Sequence, residues 1–263
     1  CVLYVGTAGF SYADWRGVFY PENIKSEDFL TYYSEHFPFV ELDYTYYRQP
    51  SASSMQKMAA KVPDNFKFTV KAHRTMTHEI PSREDIDLEF DVFKQGILPM
   101  RDSGKLACVL FQFPWSFKPS TSNVQYVLSL KERMPYSEVV VEFRNSLWAS
   151  QDTCKYLSGK GIGFCCVDEP DLRGLFPRVS WVTSEIGYLR FHGRNKEKWF
   201  NHKETTERYD YLYSDDELKS WLPGILEMVE KSKDMYVVFN NCHRGQAATN
   251  ALRMKEMLEL PLE

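Results

Sequence analysis

Two opposite charges end a segment that has the composition of a buried strand. Residues 139–145 read Val-Val-Val-Glu-Phe-Arg-Asn, and the apolar β-branched run at the start is typical of a strand. Side chains two residues apart on a strand share a face, so Glu142 and Arg144 point the same way. A carboxylate beside a guanidinium can move protons, bind an anion or neutralise its neighbour. What else lies on that face decides among these roles.

Seven further apolar runs also end in a polar residue, and these ends are Thr7, Asp43, His73, Gln112, Asp168, His192 and Asn240. An unpaired buried charge costs several kcal/mol, so eight polar strand ends indicate a shared ligand site. In a parallel barrel the C-terminal ends of all strands meet at one mouth. The pattern therefore predicts an α/β fold, a TIM-type (β/α)8 barrel. The length of 263 residues is close to the roughly 250 typical of that fold, and no linker or repeat interrupts a single domain over residues 1–263.

The segments between the strands predict the outer helices and two irregular stretches. Helices are predicted over residues 26–36 with Ser26 as N-cap, after Ser51, and over 87–101, 123–134, 152–159, 215–231 and 246–260. Residues 169–185 contain two prolines and a glycine, which leaves no full helix and makes the barrel irregular around its sixth βα unit. Residues 193–214 form an unusually long basic loop, which predicts a lid that orders on ligand binding.

One interpretation of the strand ends is an anion site. Arginine forks match phosphate or carboxylate oxygens two at a time. Arg144 and Arg190 lie on the fifth and seventh predicted strands. The predicted substrate-binding residues are Lys71, His73, Gln112, Arg144, Arg190 and Asn240, with Trp15 and Tyr46 from the loops. The alternative is an internal ion-pair network, Glu142–Arg190 or Asp168–Arg144, that balances charge without a ligand. For Trp15 the alternative is an apolar plug of the barrel mouth.

A second interpretation is acid–base hydrolysis. Glu142 and Asp168 on adjacent strands would form paired carboxylates, with His192 as a proton shuttle. A third is a metal site, since His73 and His243 add ligand types to these three residues. No His-Glu-x-x-His or Cys/His spacing occurs, and the interleaved arginines would repel a cation. We therefore predict neither a metal nor a cofactor, and the absence of a Gly-x-Ser-x-Gly elbow argues against a serine nucleophile.

Composition narrows the class of protein further. The formal net charge is −4, which does not suggest binding to nucleic acid by bulk charge. Nucleic-acid binding remains an alternative through the basic loop at 193–214 and the aromatic residues Trp15, Trp115 and Trp199. No run of 18 apolar residues occurs and none of the six cysteines forms a Cys-x-x-Cys pair, so we expect a cytoplasmic protein without a membrane span.

Several motifs together resemble one known family. They are residues 6–17 (Gly-Thr-Ala-Gly-Phe-Ser-Tyr-Ala-Asp-Trp-Arg-Gly), 40–48 (Val-Glu-Leu-Asp-Tyr-Thr-Tyr-Tyr-Arg), Thr77-His78, Gln112-Phe113-Pro114, 141–144 (Val-Glu-Phe-Arg), Val167-Asp168, 190–194 (Arg-Phe-His-Gly-Arg) and 239–241 (Phe-Asn-Asn). Over essentially the whole chain the sequence resembles the YecE-like family, the domain of unknown function seventy-two. The resemblance implies a TIM-type barrel and brings no established reaction. The chain departs from the family pattern at Asp43, where Asn is expected, and at Tyr46, where Phe is expected.

Taken together, the residues predict a metal-independent hydrolase that acts on a small anionic or phosphate-bearing substrate at the C-terminal mouth of a barrel. The alternatives are a nucleic-acid-binding or processing protein and a ligand-binding barrel without catalysis. A closed pocket would favour the first, and an open groove lined by cations and aromatic rings would favour the second.

Overall fold

Eight parallel strands pair in sequence order and close a barrel, in the computed structural model that describes residues 1–259. The strands are β1 (Val2–Ala8), β2 (Phe39–Leu42), β3 (Lys67–Lys71), β4 (Leu106–Gln112), β5 (Val139–Glu142), β6 (Gly163–Asp168), β7 (Ile186–Phe191) and β8 (Asp234–Phe239). The last strand pairs with the first over six registered positions, from Val2 opposite Asp234 to Thr7 opposite Phe239. The predicted TIM-type (β/α)8 barrel is confirmed.

Helices cover the outside of the barrel. They are α1 (Phe29–His36), α2 (Ala52–Ala60), α3 (Arg83–Asp102), α4 (Thr121–Arg133), α5 (Gln151–Lys160), α6 (Asp215–Ser220), α7 (Leu222–Lys231) and α8 (Gln246–Glu259). No helix lies between β6 and β7, so the predicted irregularity of the sixth βα unit is confirmed. Among the described residues no helix is both long and apolar enough to cross a membrane.

Two helix predictions need correction. Ser26 does not cap an α-helix, because it opens a short 3-10 helix (Ser26–Asp28) that precedes α1. The helix predicted over 215–231 is two helices that meet at Trp221, since Pro223 in the first turn of α7 lacks the N–H that would continue α6. Ser51 does cap α2, accepting a hydrogen bond from the backbone N–H of Ser54. The last predicted helical residue, Leu260, lies outside the described residues.

The alternation of side chains along the strands determines which residues enter the barrel. On β7, Leu189 and Phe191 face the helices, and the Phe191 ring packs against Trp221. Tyr188 and Arg190 therefore face the interior, where both are fully buried. Interior residues at the C-terminal strand ends meet at one mouth, which is covered by the loops after β1, β2, β4 and β7.

Candidate anion site at the barrel mouth

Arg190 is the centre of a buried ion-pair network. Its Nη2 lies 2.7 Å from Glu41 Oε2 and 3.4 Å from Asp43 Oδ2, while Nη1 donates to Glu142 Oε2 at 3.0 Å. Arg190, Glu41 and Glu142 are all 0% exposed. Tyr188 donates to the second oxygen of Glu41 at 2.8 Å. The ion-pair alternative weighed for Glu142 and Arg190 is therefore present in the molecule.

Both oxygens of Glu142 are engaged inside the protein. Oε1 accepts from His192 Nε2 at 2.8 Å, and Arg144 Nε approaches Oε2 at 3.4 Å. Burial alone would raise the pKa of Glu142, but Arg144, Arg190 and His192 together hold it well below its usual range. Glu142 is therefore an ionised anchor for its neighbours.

His192 is held as a neutral ring. Burial, followed by the charge of Arg144, lowers the pKa of His192 to about 3. Its partners assign the tautomer: Nε2–H donates to Glu142, and Nδ1 accepts from Asn240 Nδ2 at 3.0 Å. With both nitrogens occupied and the ring 0% exposed, His192 in this conformation orients Glu142 and does not face open space.

Arg144 joins this network to a carboxylate that the sequence analysis missed. Its Nη1 lies 3.6 Å from Glu169 Oε2, so Glu41, Arg190, Glu142, Arg144 and Glu169 form a continuous chain in which acidic side chains alternate with arginines. Both oxygens of Glu169 are buried and without a hydrogen-bond partner among the described residues. Burial raises the pKa of Glu169 to about 8, although Arg144 lowers it. Glu169 therefore carries a proton at neutral pH.

Asp168 lies on the opposite face of the sheet from Glu142, so the predicted pair of carboxylates, Glu142 and Asp168, does not form. Cys165 points into the barrel toward Glu142, whereas Cys166 contacts Met228 of α7, so Asp168 shares the outer face with Cys166. There its oxygens accept hydrogen bonds from Arg194 at 2.9 and 2.6 Å, from Tyr213 at 2.7 Å and from Trp221 at 2.8 Å, and Arg178 approaches to 3.1 Å. The other predicted ion pair, Asp168–Arg144, is accordingly replaced by Glu169–Arg144.

Asp168 binds both ends of the long loop after β7, since Arg194 is the second residue of the segment 193–214 and Tyr213 is its second-to-last. We expect Asp168→Asn to weaken two charge-assisted hydrogen bonds, worth roughly 1.5–3 kcal/mol. Backbone amides of residues 193–214 should then exchange with deuterium roughly ten- to hundredfold faster by local opening. Exposed Asp152 in the first turn of α5 gives the matched control Asp152→Asn. Unchanged exchange in Asp168→Asn would show that other contacts hold the loop.

A cavity of about 320 Å³ lies above the buried network, at the mouth of the barrel. It is lined by Tyr46, Tyr47, Lys71, His78, Gln112, Pro114, Trp115, Arg144, Leu175, Trp199, Phe200, Thr205, Arg208 and Tyr209. Three of these residues are cationic and none is acidic. We call it the basic cavity. It joins the ends of β3, β4 and β5 to the long loop after β7.

The cations of the basic cavity are only partly neutralised. Lys71 and Arg208 have no carboxylate within 4.0 Å among the described residues. Each instead lies over an aromatic ring, Lys71 Nζ at 5.0 Å from the centre of Tyr46 and Arg208 Cζ at 5.3 Å from that of Trp199. Beneath the floor of the cavity, Arg144 pairs with the carboxylate of Glu142 and lies near the protonated side chain of Glu169. The cavity is therefore electropositive.

Two ionisable side chains in the cavity respond to this charge. Burial and then Lys71 and Arg144 lower the pKa of His78 to about 4, so its imidazole is neutral at pH 7. Burial would raise the pKa of Tyr209, but Arg144, Lys71 and Arg208 lower it below its usual value. At neutral pH the imidazole of His78 can therefore accept a proton, although as a weak base, and the phenol of Tyr209 is a stronger acid than an ordinary tyrosine.

The remaining predicted residues divide between the cavity and the scaffold. Lys71, Gln112, Arg144 and Tyr46 line the basic cavity, whereas Asn240 lies behind it on His192. His73 points away, with Nδ1 at 2.8 Å from the Thr75 hydroxyl, which in turn donates to Glu89 of α3. Trp15 is 0% exposed and donates to the carbonyl of Cys242 at 3.0 Å, so it is part of the plug and not of the cavity wall.

Loop residues outside the predicted substrate-binding set supply much of the cavity: His78, Trp199, Arg208 and Tyr209. Their signal was present, since His78 is part of a family motif and Arg208–Tyr209 lie in the long basic loop. Glu169 was missed because the sequence of β6 does not show which of its two faces points into the barrel. Among the described residues no group of three or more His, Cys, Asp or Glu side chains could hold a metal ion.

The protonated state of Glu169 gives a pH prediction. Between its unfolded pKa of about 4.3 and its folded pKa of about 8, the native protein holds a proton that the unfolded chain has lost. The free energy of unfolding should therefore fall as pH rises through that window, by up to about 1.4 kcal/mol per pH unit. Glu169→Gln stays neutral at every pH. Its free energy of unfolding should therefore rise relative to that of the wild type between pH 5 and pH 8. Urea unfolding at pH 5, 7 and 9 measures this, with exposed Glu230→Gln as control. A pH-independent difference would refute a buried proton on Glu169.

Comparison with known proteins gives relatives without an assigned reaction. The family described as "Protein of unknown function DUF72" matches residues 4–263. The UPF0759 protein YunF of Bacillus subtilis is 37% identical, over 98% of this chain and 95% of its own length. A crystal structure of a DUF72 family protein from Thermotoga maritima has a TM-score of 0.90 and 45% identity, covering 99% of this chain and 100% of that one. One from Enterococcus faecalis has a TM-score of 0.88 and 25% identity, covering 100% and 97%.

Proposed function

Since the chain belongs to the DUF72 family, whose description names no activity, we propose from the site that it binds and hydrolyses a small phosphate-bearing substrate. The observation that carries the proposal is the basic cavity, which has three cations and no acidic side chain in its lining. Lys71 and Arg208 lack carboxylate partners among the described residues, so their charge is available to an anion. Arginine at Arg144 and Arg208 suits the paired oxygens of a phosphate group.

The shape of the cavity favours a small ligand. At about 320 Å³ it matches the lower end of small-molecule pockets, and the loop after β7 contributes five of its lining residues. Of the tryptophans considered for nucleic-acid stacking, Trp15 and Trp199 are 0% and 2% exposed, and only Trp115, at 48%, is available. The arrangement supports an enclosed site with a cover more than an open groove.

The acid–base groups of the cavity suit hydrolysis. Neutral His78 would take a proton from an attacking water, and Tyr209 would give its proton to the leaving oxygen as the phosphorus–oxygen bond breaks. His78 then returns the proton to Tyr209 through solvent. Lys71, Arg144 and Arg208 would stabilise the charge that spreads over the phosphoryl oxygens, a role that metal ions fill in other sites. In this proposal the acid–base roles expected for Glu142, Asp168 and His192 pass to His78 and Tyr209. Glu142 and His192 instead position Arg144, and Asp168 holds the loop after β7.

Turnover of 4-nitrophenyl phosphate in buffer with a chelator tests the reaction. We expect release of nitrophenol, and a fall of roughly 100-fold or more in kcat for His78→Gln with little change in the affinity for phosphate. His202→Gln, in the loop but outside the cavity lining, should retain full activity. Phosphate binding without turnover of either 4-nitrophenyl or bis(4-nitrophenyl) phosphate would contradict hydrolysis and leave a ligand-binding barrel.

One observation supports the second candidate, binding of a nucleic-acid end. Trp115 stands at the rim with half of its surface exposed, and Lys118 Nζ lies 5.6 Å from its ring centre. A terminal phosphate in the cavity would place a base within reach of such a ring. Fluorescence anisotropy with 5′-phosphorylated and unphosphorylated single-stranded oligonucleotides decides between the candidates. Equal, weak binding of both supports the small-substrate proposal.

A further inference from the structure

A second, larger cavity opens beside the basic cavity. It has a volume of about 610 Å³ and lies between the loop after β1, the end of β2 and helix α2. Much of its wall is apolar, from Phe10, Leu42, Tyr44 and Met58. Its basic residues, Arg48 and Lys57, are exposed side chains. We call it the apolar cavity.

One side chain separates the two cavities. Tyr47 lines both, and 69% of its surface is exposed. Its ring stands edge-on to Tyr46, with centres 4.9 Å apart, and Tyr46 lines the basic cavity alone. Because a single exposed tyrosine forms the boundary, a ligand of modest length reaches from one cavity into the other over the face of Tyr47.

Two side chains in the wall of the apolar cavity carry buried polar atoms that the protein does not satisfy. Asp43 and Tyr44 line this cavity, and Asp43 Oδ1 and the Tyr44 hydroxyl are buried without a hydrogen-bond partner among the described residues. Most buried polar atoms in proteins are paired, so unpaired atoms on residues that line a cavity point to a ligand or water that completes them.

From this juxtaposition we infer that the substrate is an organic phosphate with an extended, mostly apolar body, whose phosphate enters the basic cavity while its body fills the apolar cavity across Tyr47. The inference rests on the proposed function for the phosphate end. The apolar body of the substrate should supply much of the affinity beside the phosphate, because its surface is removed from water on binding.

A series of alkyl phosphates measures the contribution of the body. Each methylene that enters an apolar cavity should raise affinity about three- to fourfold, which makes butyl phosphate roughly 30- to 60-fold tighter than methyl phosphate. Calorimetric titration of wild-type protein with inorganic, methyl, butyl and hexyl phosphate gives these ratios directly. Equal affinity for all four would overturn the inference while leaving phosphate binding intact.

A matched pair of variants locates the effect. Ser54 on α2 lines the apolar cavity, and its neighbour Ser53 is exposed outside it. Ser54→Trp should fill the cavity and remove the gain from longer chains, with inorganic phosphate still bound as in the wild type. Ser53→Trp should leave the whole series unchanged. If longer alkyl chains still bind more tightly to both variants, or if both variants lose this gain, the assignment of the body to this cavity is overturned.

Two further results would overturn the inference. If wild-type protein binds no inorganic phosphate and no alkyl phosphate, the proposed function and this inference both fall. If sedimentation shows a dimer that Ser54→Trp dissolves, while affinity for butyl phosphate stays unchanged, the apolar cavity belongs to a second copy of the chain and the inference is overturned.

Discussion

Arg190→Met is expected to lower the free energy of unfolding by about 3–5 kcal/mol, because it leaves buried carboxylates without their cation. Arg190 contacts Glu41, Asp43 and Glu142 and is 0% exposed, so water cannot replace it. Glu142 would keep Arg144, but Glu41 would lose its guanidinium partner and keep the uncharged hydroxyl of Tyr188. Denaturant unfolding at pH 7 measures the loss.

The control is an arginine with equally good geometry at the surface. Arg253 makes a two-point pair with Asp215, with both distances 3.0 Å, and its side chain is 39% exposed. Arg253→Met should lower the free energy of unfolding far less than Arg190→Met does, because water and salt screen an exposed ion pair. Arg190 does not line the basic cavity, so phosphate should stabilise folded Arg190→Met as much as it stabilises the wild type. A small loss of stability with a lost phosphate effect would instead place Arg190 in the binding site.

The double variant Lys71→Met with Arg208→Met is expected to reduce phosphate affinity by more than about 100-fold. A hydrogen bond to a charged group contributes roughly 1.5–3 kcal/mol, so each single variant should lose about ten- to 150-fold. Stability should change little, since neither cation holds a buried carboxylate among the described residues. Calorimetric titration with inorganic phosphate at low salt gives the affinities.

Strand β3 provides the matched control for Lys71. Lys67 lies four residues earlier on the same strand, at the opposite end of the barrel, where its Nζ donates to the carbonyl of Gly104 at 2.6 Å. Lys67→Met should leave phosphate affinity unchanged. If Lys67→Met and Lys71→Met weaken binding equally, the effect is one of net charge and not of the basic cavity.

The fold was predictable because each strand carries its own signal. Eight apolar β-branched runs with polar ends, spaced by helix-length segments, describe a parallel barrel even without relatives. Pro170 and Pro177 marked the missing helix after β6. Helix starts were less certain: α3 begins four residues before the predicted start, because its first turn is polar and carries no apolar periodicity.

The site was predictable where a strand had one clear apolar face. Glu142 at the end of β5 and Arg144 just beyond it met Arg190 on β7 and His192 just beyond that strand, as expected. β6 reads Gly-Phe-Cys-Cys-Val-Asp, and two adjacent cysteines are compatible with either face, so its orientation could not be deduced and Asp168 was placed inside instead of Glu169. Residues of long loops, such as Tyr209 and Arg208, carry no periodicity, so tertiary packing alone brings them to the cavity.

Anomalous scattering from a crystal soaked in tungstate would show whether an anion binds among Lys71, Arg144 and Arg208. Tungstate has the shape and charge of a phosphate group, and its position is read without reference to any assumed mechanism. We expect a strong anomalous peak in the basic cavity, within hydrogen-bond distance of at least two of these three side chains. A peak only at Arg48 and Lys57 beside the apolar cavity, or no peak at the barrel mouth, would contradict this expectation.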